Sequence, residues 1–182
     1  MREILEAAMA VFAEKGYAKA TMEEIAERAL LSRVALYRYF KDKESILKAL
    51  LDWKTAELTE RFEAVRGEGY AEAIRALAAE GLRFRQENQG FFRALYSATG
   101  LPELLRDPDF KERKKALVRA VARRIEAGQA RGEARGGDAG LLAEFFLSLV
   151  LSASARDFFD EDAEIPSPET VAEVFLSGTL AV

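Results

Sequence analysis

From Ile4 to Leu180 the apolar residues of this chain recur three and four positions apart, and no run alternates convincingly between apolar and polar. A side-chain period near 3.6 belongs to helices and a period of two to strands. The sequence therefore predicts an all-α protein built as a helical bundle. The first helix is expected over Arg2 to Lys15, with Ile4, Leu5, Ala8, Val11 and Phe12 as one stripe and Gly16 as its stop. Asp42 can cap a long helix from Lys43 to about Arg66, ended by Gly67 and Gly69. Tyr70 to Gln89 follows, with Ile74, Leu77, Gly81 and Phe84 on one face. Gly90 and Gly100 bracket a short aromatic helix over 91–99, and Leu101-Pro102 opens a further turn with Leu104 and Leu105 inward. Asp107-Pro108 starts a helix running to about Ala130. Helix 138–157 is apolar nearly all round, so more than one of its sides must be covered. An acidic loop, Asp157 to Glu164, precedes a last helix over 168–180.

The stretch from Thr21 to Lys43 carries the functional signal. Thr21 with Glu24 three residues later forms a capping box ahead of Ile25 and Ala26. Ser32 is a good N-cap for a second short helix, in which Leu36 and Phe40 turn inward. Arg33, Tyr37, Arg38 and Tyr39 are left to turn outward. Two short helices, the second with exposed Arg and Tyr, suit a helix-turn-helix whose second helix enters a DNA groove. Charge supports this. Between Arg28 and Lys48 six basic residues face two acids, a local +4 in a chain whose net charge is −4, so the remainder carries −8. A basic end on an acidic body fits DNA binding. A solvated helical face is the blander alternative.

The same residues resemble a family. T-x-x-x-I-A from Thr21, followed by Ser32 and by L-Y-x-Y-F-x-x-K-E from Leu36 to Glu44, is similar to the signature of TetR-type bacterial repressors. The likeness spans roughly Ile4 to Leu51 at the level of motifs and is architectural beyond. It implies an N-terminal three-helix helix-turn-helix DNA-binding domain (1–48) and a helical ligand-binding and dimerisation domain (49–182). The partners implied are a near-palindromic double-stranded DNA operator, a second copy of the chain as homodimer, and a small effector that releases DNA. Thr21, Ser32, Arg33, Tyr37, Arg38, Tyr39 and Lys43 are the expected DNA contacts. Two residues depart from the pattern. Leu30 stands where the family usually carries Gly in the turn, and a bulky residue resists positive φ. Ala35 replaces a small hydroxyl residue.

For the body, the resemblance places a four-helix dimer interface on the last two helices, with Phe146, Ser148, Ser152, Ala153, Val171, Val174, Phe175 and Gly178 as its expected residues. A lipophilic pocket is expected from Phe62, Leu77, Phe84, Phe92, Tyr96, Phe110, Leu117, Val121, Phe145 and Leu149. Its occupant would be a lipophilic molecule or an acyl-coenzyme A ester. Seven basic residues between Lys111 and Arg124 fit a solvated face, or in part an anionic ligand. The helix starting at Lys43 is the candidate lever between ligand and DNA.

Composition narrows the alternatives. The chain has no Cys and no His. Disulfides, thiol chemistry, imidazole-based triads and imidazole metal sites are thereby excluded. No paired carboxylate constellation stands out, so no enzyme activity, cofactor or metal is expected. No stretch is apolar enough to span a membrane and no signal-peptide layout opens the chain. A cytoplasmic protein without a membrane partner is expected. The competing class is an all-α interaction module, or a small-molecule binder, without DNA binding.

Overall fold

A computed structural model of the protein describes residues 1–98, 101–155 and 162–181, with the side chains of 101–103 and 154 left out of the description. The described helices are α1 (Arg2–Lys15), α2 (Met22–Arg28), α3 (Arg33–Tyr39), α4 (Lys43–Ala64), α5 (Tyr70–Glu87), α6 (Gln89–Ser97), α7 (Leu101–Arg106), α8 (Pro108–Ala130), α9 (Ala139–Ser154) and α10 (Pro168–Thr179). One isolated antiparallel bridge, Ala134 to Leu180, is the extended pairing among the described residues. The all-α expectation holds. The expected stop at Gly100, residues 157–161 of the acidic loop and the last residues of helix 138–157 lie outside the described residues.

The caps act as their residue types dictate. Thr21 Oγ1 accepts from Glu24 N–H at 3.2 Å while Glu24 Oε2 accepts from Thr21 N–H at 3.0 Å. Ser32, Asp138 and Ser167 each accept from the backbone N–H three residues on. Asp42 Oδ1 accepts from Ser45 N–H at 2.7 Å and opens α4. Each such cap stabilises its helix by about 1 kcal/mol.

Packing divides the chain into two compact units that are not contiguous in sequence. The first holds Met1–Thr55 and Asn88–Glu112; the second holds Ala56–Glu87 and Arg113–Val182. Residues 1–48 lie wholly in the first. There, α1 lies along α2 and α6. Gly90 explains how α6 comes so close. A Cβ on Gly90 would stand 2.6 Å from Ala13 Cβ and 3.1 Å from Met9 O. The glycine sits inside the first turn of α6 and is no break, which corrects the expected start at 91. Further on, Leu104 is buried but Leu105 is exposed, against the expectation that both turn inward. Asp107 accepts backbone N–H groups from Asp109 and Phe110, and its other oxygen accepts from Lys48 Nζ at 2.7 Å. That ion pair holds the Asp107 carboxyl below its usual range.

In the second unit α5 packs on α9 and α10 around Phe62, Tyr70, Ile74, Leu77, Val121, Ile125, Phe146 and Leu176, all of them buried. Gly81 allows the α5–α9 approach: its Cβ would lie 2.7 Å from Val150 Cγ1. Tyr70 donates its hydroxyl to Thr179 Oγ1 at 2.8 Å inside the core, tying the last helix to the start of α5.

Candidate nucleic-acid interface

The helix-turn-helix is formed by α2, a turn at Ala29–Leu31 and α3. Leu30 adopts φ 56°, the left-handed conformation that glycine takes without cost. The turn keeps its shape despite the bulky residue. Leu31 N–H donates to Ala26 O at 2.9 Å and Leu30 N–H to Glu27 O at 3.0 Å, which hold the backbone there. The Leu30 side chain gains nothing in return, being 93% exposed.

Helix α3 buries Leu36 and is closed by buried Phe40. At about 100° per residue, Val34 and Arg38 point roughly 160° away from Leu36, while Arg33 lies only about 60° from it. The contacts agree with that placement. Arg33 Nε pairs with Glu23 Oε1 of α2 at 2.9 Å, and its guanidinium lies 5.5 Å from the Tyr37 ring centre. Tyr37 is 40% exposed and Tyr39 54%, so neither is packed away as core.

The six basic residues of this end are not equivalent. Arg28 grips Glu14 of α1 through two bonds of 2.7 and 2.8 Å. Lys48 is held by Asp107. Lys43, expected as a phosphate contact, donates its ammonium to Tyr17 O at 2.8 Å and Ala18 O at 3.1 Å and lies over the Tyr17 ring. It braces the loop before α2, with two carbonyl acceptors already engaging its ammonium. Lys41 lies 3.8 Å from Asp42 and stays open to solvent. Arg38 makes no ion pair or side-chain hydrogen bond among the described residues. Thr21 and Ser32 are exposed, but their oxygens already serve as caps. Lys15 bonds Glu24 at 2.5 Å and, with Thr21 N–H, holds the Glu24 carboxyl below its usual range.

The residues expected at a dimer face separate into two groups. Phe146 is completely buried in its own chain's core, its ring 5.3 Å from that of Phe175. Val171, Ala153 and Phe175 are buried as well. Those four lie in the core of their own chain. Ser148, Ser152, Val174 and Gly178 do lie on the surface, beside Leu141, Phe145 and Leu151, which sequence reasoning had not put there. Phe145, expected in a pocket, is 58% exposed. Of the two adjacent phenylalanines, Phe146 is core and Phe145 is surface. Of the other expected pocket residues, Phe62, Leu77, Phe84 and Val121 are buried in the second unit, where Leu117 and Leu149 pack against the core. Phe92, Tyr96 and Phe110 belong to the first unit.

Two residues of the basic run of α8 are spent on the protein itself. Arg124 donates to Glu63 O and Val65 O at the end of α4, and Arg123 pairs with Glu63 at 3.3 Å. Among the described residues no helix is long and apolar enough to cross a membrane, and no cluster of acids could hold a metal.

Comparison with known proteins follows this geometry. The family profile described as bacterial regulatory proteins of the tetR family matches residues 4–50. An HTH-type transcriptional repressor of Mycobacterium tuberculosis is 31% identical over 158 residues, 82% of this chain and 77% of that protein. The A-factor receptor protein of Streptomyces griseus is 33% identical over 141 residues; the match spans 72% of this chain but 45% of the receptor. Among solved structures, the transcriptional regulator FadR of Bacillus subtilis in complex with stearoyl-CoA superposes with a TM-score of 0.80 over 97% of this chain and 98% of that one. Its 21% identity makes this a likeness of fold. A helix-turn-helix with a capped, outward-facing α3, the matching profile and extended identity to a known repressor together place this chain in the TetR family of bacterial transcriptional regulators.

Proposed function

We propose that the protein is a repressor that binds a near-palindromic DNA operator as a homodimer through α3 and is released by a lipophilic effector. One observation carries the DNA contact. Arg38 is an uncommitted guanidinium on the outermost side of a helix whose opposite side is locked into the core. Arg in that position can pair with a guanine edge or a phosphate. Tyr37 and Tyr39 flank it with hydroxyls and apolar rings, and Thr21, Ser32 and Arg33 border the same surface.

The dimer reading rests on α9 and α10. Leu141, Phe145, Leu151 and Val174 are exposed apolar side chains on two neighbouring helices, with small Ser148, Ser152 and Gly178 among them. A contiguous apolar surface of this kind marks an interface. A two-fold dimer would set its α3 helices about 34–36 Å apart, one turn of DNA.

The effector reading draws on the fold neighbour that holds stearoyl-CoA. A long-chain acyl ester is the first ligand to test. It would release DNA by binding more tightly to the state whose α3 spacing misfits the operator.

Selection from a random duplex pool, followed by anisotropy titration at low and moderate salt, tests the DNA reading. Enrichment of a two-fold symmetric site is expected, with affinity falling steeply as salt rises. No enriched sequence at either salt would defeat it. Stearoyl-CoA, free fatty acids and aromatic drugs are then titrated into the complex, and DNA release by none of them removes the effector reading while leaving the repressor.

A further inference from the structure

We propose that Val34 is a sequence-reading residue of this protein, recognising the 5-methyl group of a thymine in each operator half-site. This rests on the reading of α3 as the DNA-contacting helix and adds what that helix reads. Val34 is 67% exposed. It sits in the first turn of α3 and, with Arg38 one turn later, points roughly 160° from buried Leu36. Arg33, the neighbour that residue type alone would favour, is turned to the flank by Glu23 and Tyr37. Val34 has no such tie.

No structural role accounts for a valine here. The side chain is 67% exposed, outside the core, and a β-branched residue is a poorer helix former than Ala, Arg, Lys or Gln, any of which would suit an exposed first turn. Its two methyl groups have value only against another apolar surface. In the major groove the thymine methyl is the one apolar group that projects from the base edge; cytosine and the purines present only ring C–H there beside their hydrogen-bonding groups. Arg38, offset by one turn on the same side, would then take a guanine or phosphate nearby. Val34 and Arg38 together supply one apolar and one cationic probe per half-site.

The test uses the wild-type chain and its own enriched operator. Each thymine is replaced by uracil, symmetrically in both half-sites, which deletes the methyl and leaves the hydrogen-bonding edge intact. At one symmetric pair of positions the wild type should bind about fourfold more weakly per half-site, or ~0.8 kcal/mol per methyl removed from contact. Both half-sites together give about fifteenfold. Val34→Ala should bind the thymine and uracil duplexes alike, with a thermal melt no lower than that of the wild type, and Val34→Ile should keep the discrimination. A methyl dependence that survives in Val34→Ala overturns the proposal, as does an operator in which no thymine methyl matters. If the wild type enriches no sequence at all, the DNA-binding reading falls and this inference with it.

Discussion

Helix α3 and helix α9 meet solvent in opposite ways. The seven residues of α3 bury Leu36, turn a guanidinium and a valine away from it, and leave two tyrosines exposed on the flanks. The sixteen of α9 are apolar nearly throughout, bury Ala143, Phe146 and Val150, and still leave Leu141, Phe145 and Leu151 in the open. On α3 each exposed side chain has its own hydrogen-bonding or shape signature, the property a sequence-reading surface needs. On α9 three large apolar chains, Leu141, Phe145 and Leu151, share the surface with Glu144, Ser148 and Ser152, a mixture that suits contact with a second copy better than reading a base sequence. In α3 the polar pattern tells inside from outside. In α9 it does not, and there the core residue is Phe146 and the surface residue its neighbour Phe145.

The adjacent phenylalanines sharpen this contrast most. Phe146→Ala empties a filled site and should lower unfolding stability by about 3–5 kcal/mol. Phe145→Glu should leave the thermal melt of the isolated chain nearly unchanged and yield monomers in sedimentation. If Phe145→Glu remains dimeric, the interface is elsewhere and the comparison of the two helices loses one side.

In the first unit two cations divide in the same manner. Arg38→Ala should weaken operator binding by about 1–3 kcal/mol without changing stability. Lys43→Ala should lower stability by about 1–2 kcal/mol, since its ammonium holds two carbonyls. Its salt dependence of DNA binding should match the wild type. A salt slope shallower by about one unit in Lys43→Ala would return that residue to the phosphate contacts.

Smaller still is the turn. Leu30→Gly relieves a left-handed leucine that packs on nothing and should raise stability by about 1 kcal/mol in denaturant titration. A loss of stability would mean that the exposed side chain has a partner the free chain does not reveal.

The least effect concerns acid. Glu133 accepts from Arg131 and from Tyr70 N–H at the start of α5, and both hold its carboxyl below the ordinary 4.5. A depressed carboxylate contributes stability above its ordinary value and loses it as pH falls through the depressed one. Glu133→Gln should therefore be less stable than wild type at neutral pH, with the gap closing as pH drops below about 4.5. A gap that stays constant down to strong acid would show that the carboxylate's charge is not what stabilises α5.

Much was legible in advance because it is local. The 3.6 period gave α1 its stated bounds, and the Thr21 capping box and the Ser32, Asp138 and Ser167 caps act within three residues of themselves. Leu36 and Phe40 were inward by period alone, and the absence of His and Cys excluded whole chemistries before any coordinates. Tertiary structure alone decided which basic residues are free, because Lys43 finds its carbonyls 25 and 26 residues away and Lys48 its carboxylate 59 residues away. It also decided that Gly90 is a point of helix contact, through Met9 and Ala13. It settled which of two adjacent phenylalanines is core and which is surface. Backbone caps and periodicity depend on neighbours along the chain; a long flexible cation, a missing Cβ or a wholly apolar helix takes its meaning from whatever the fold brings beside it.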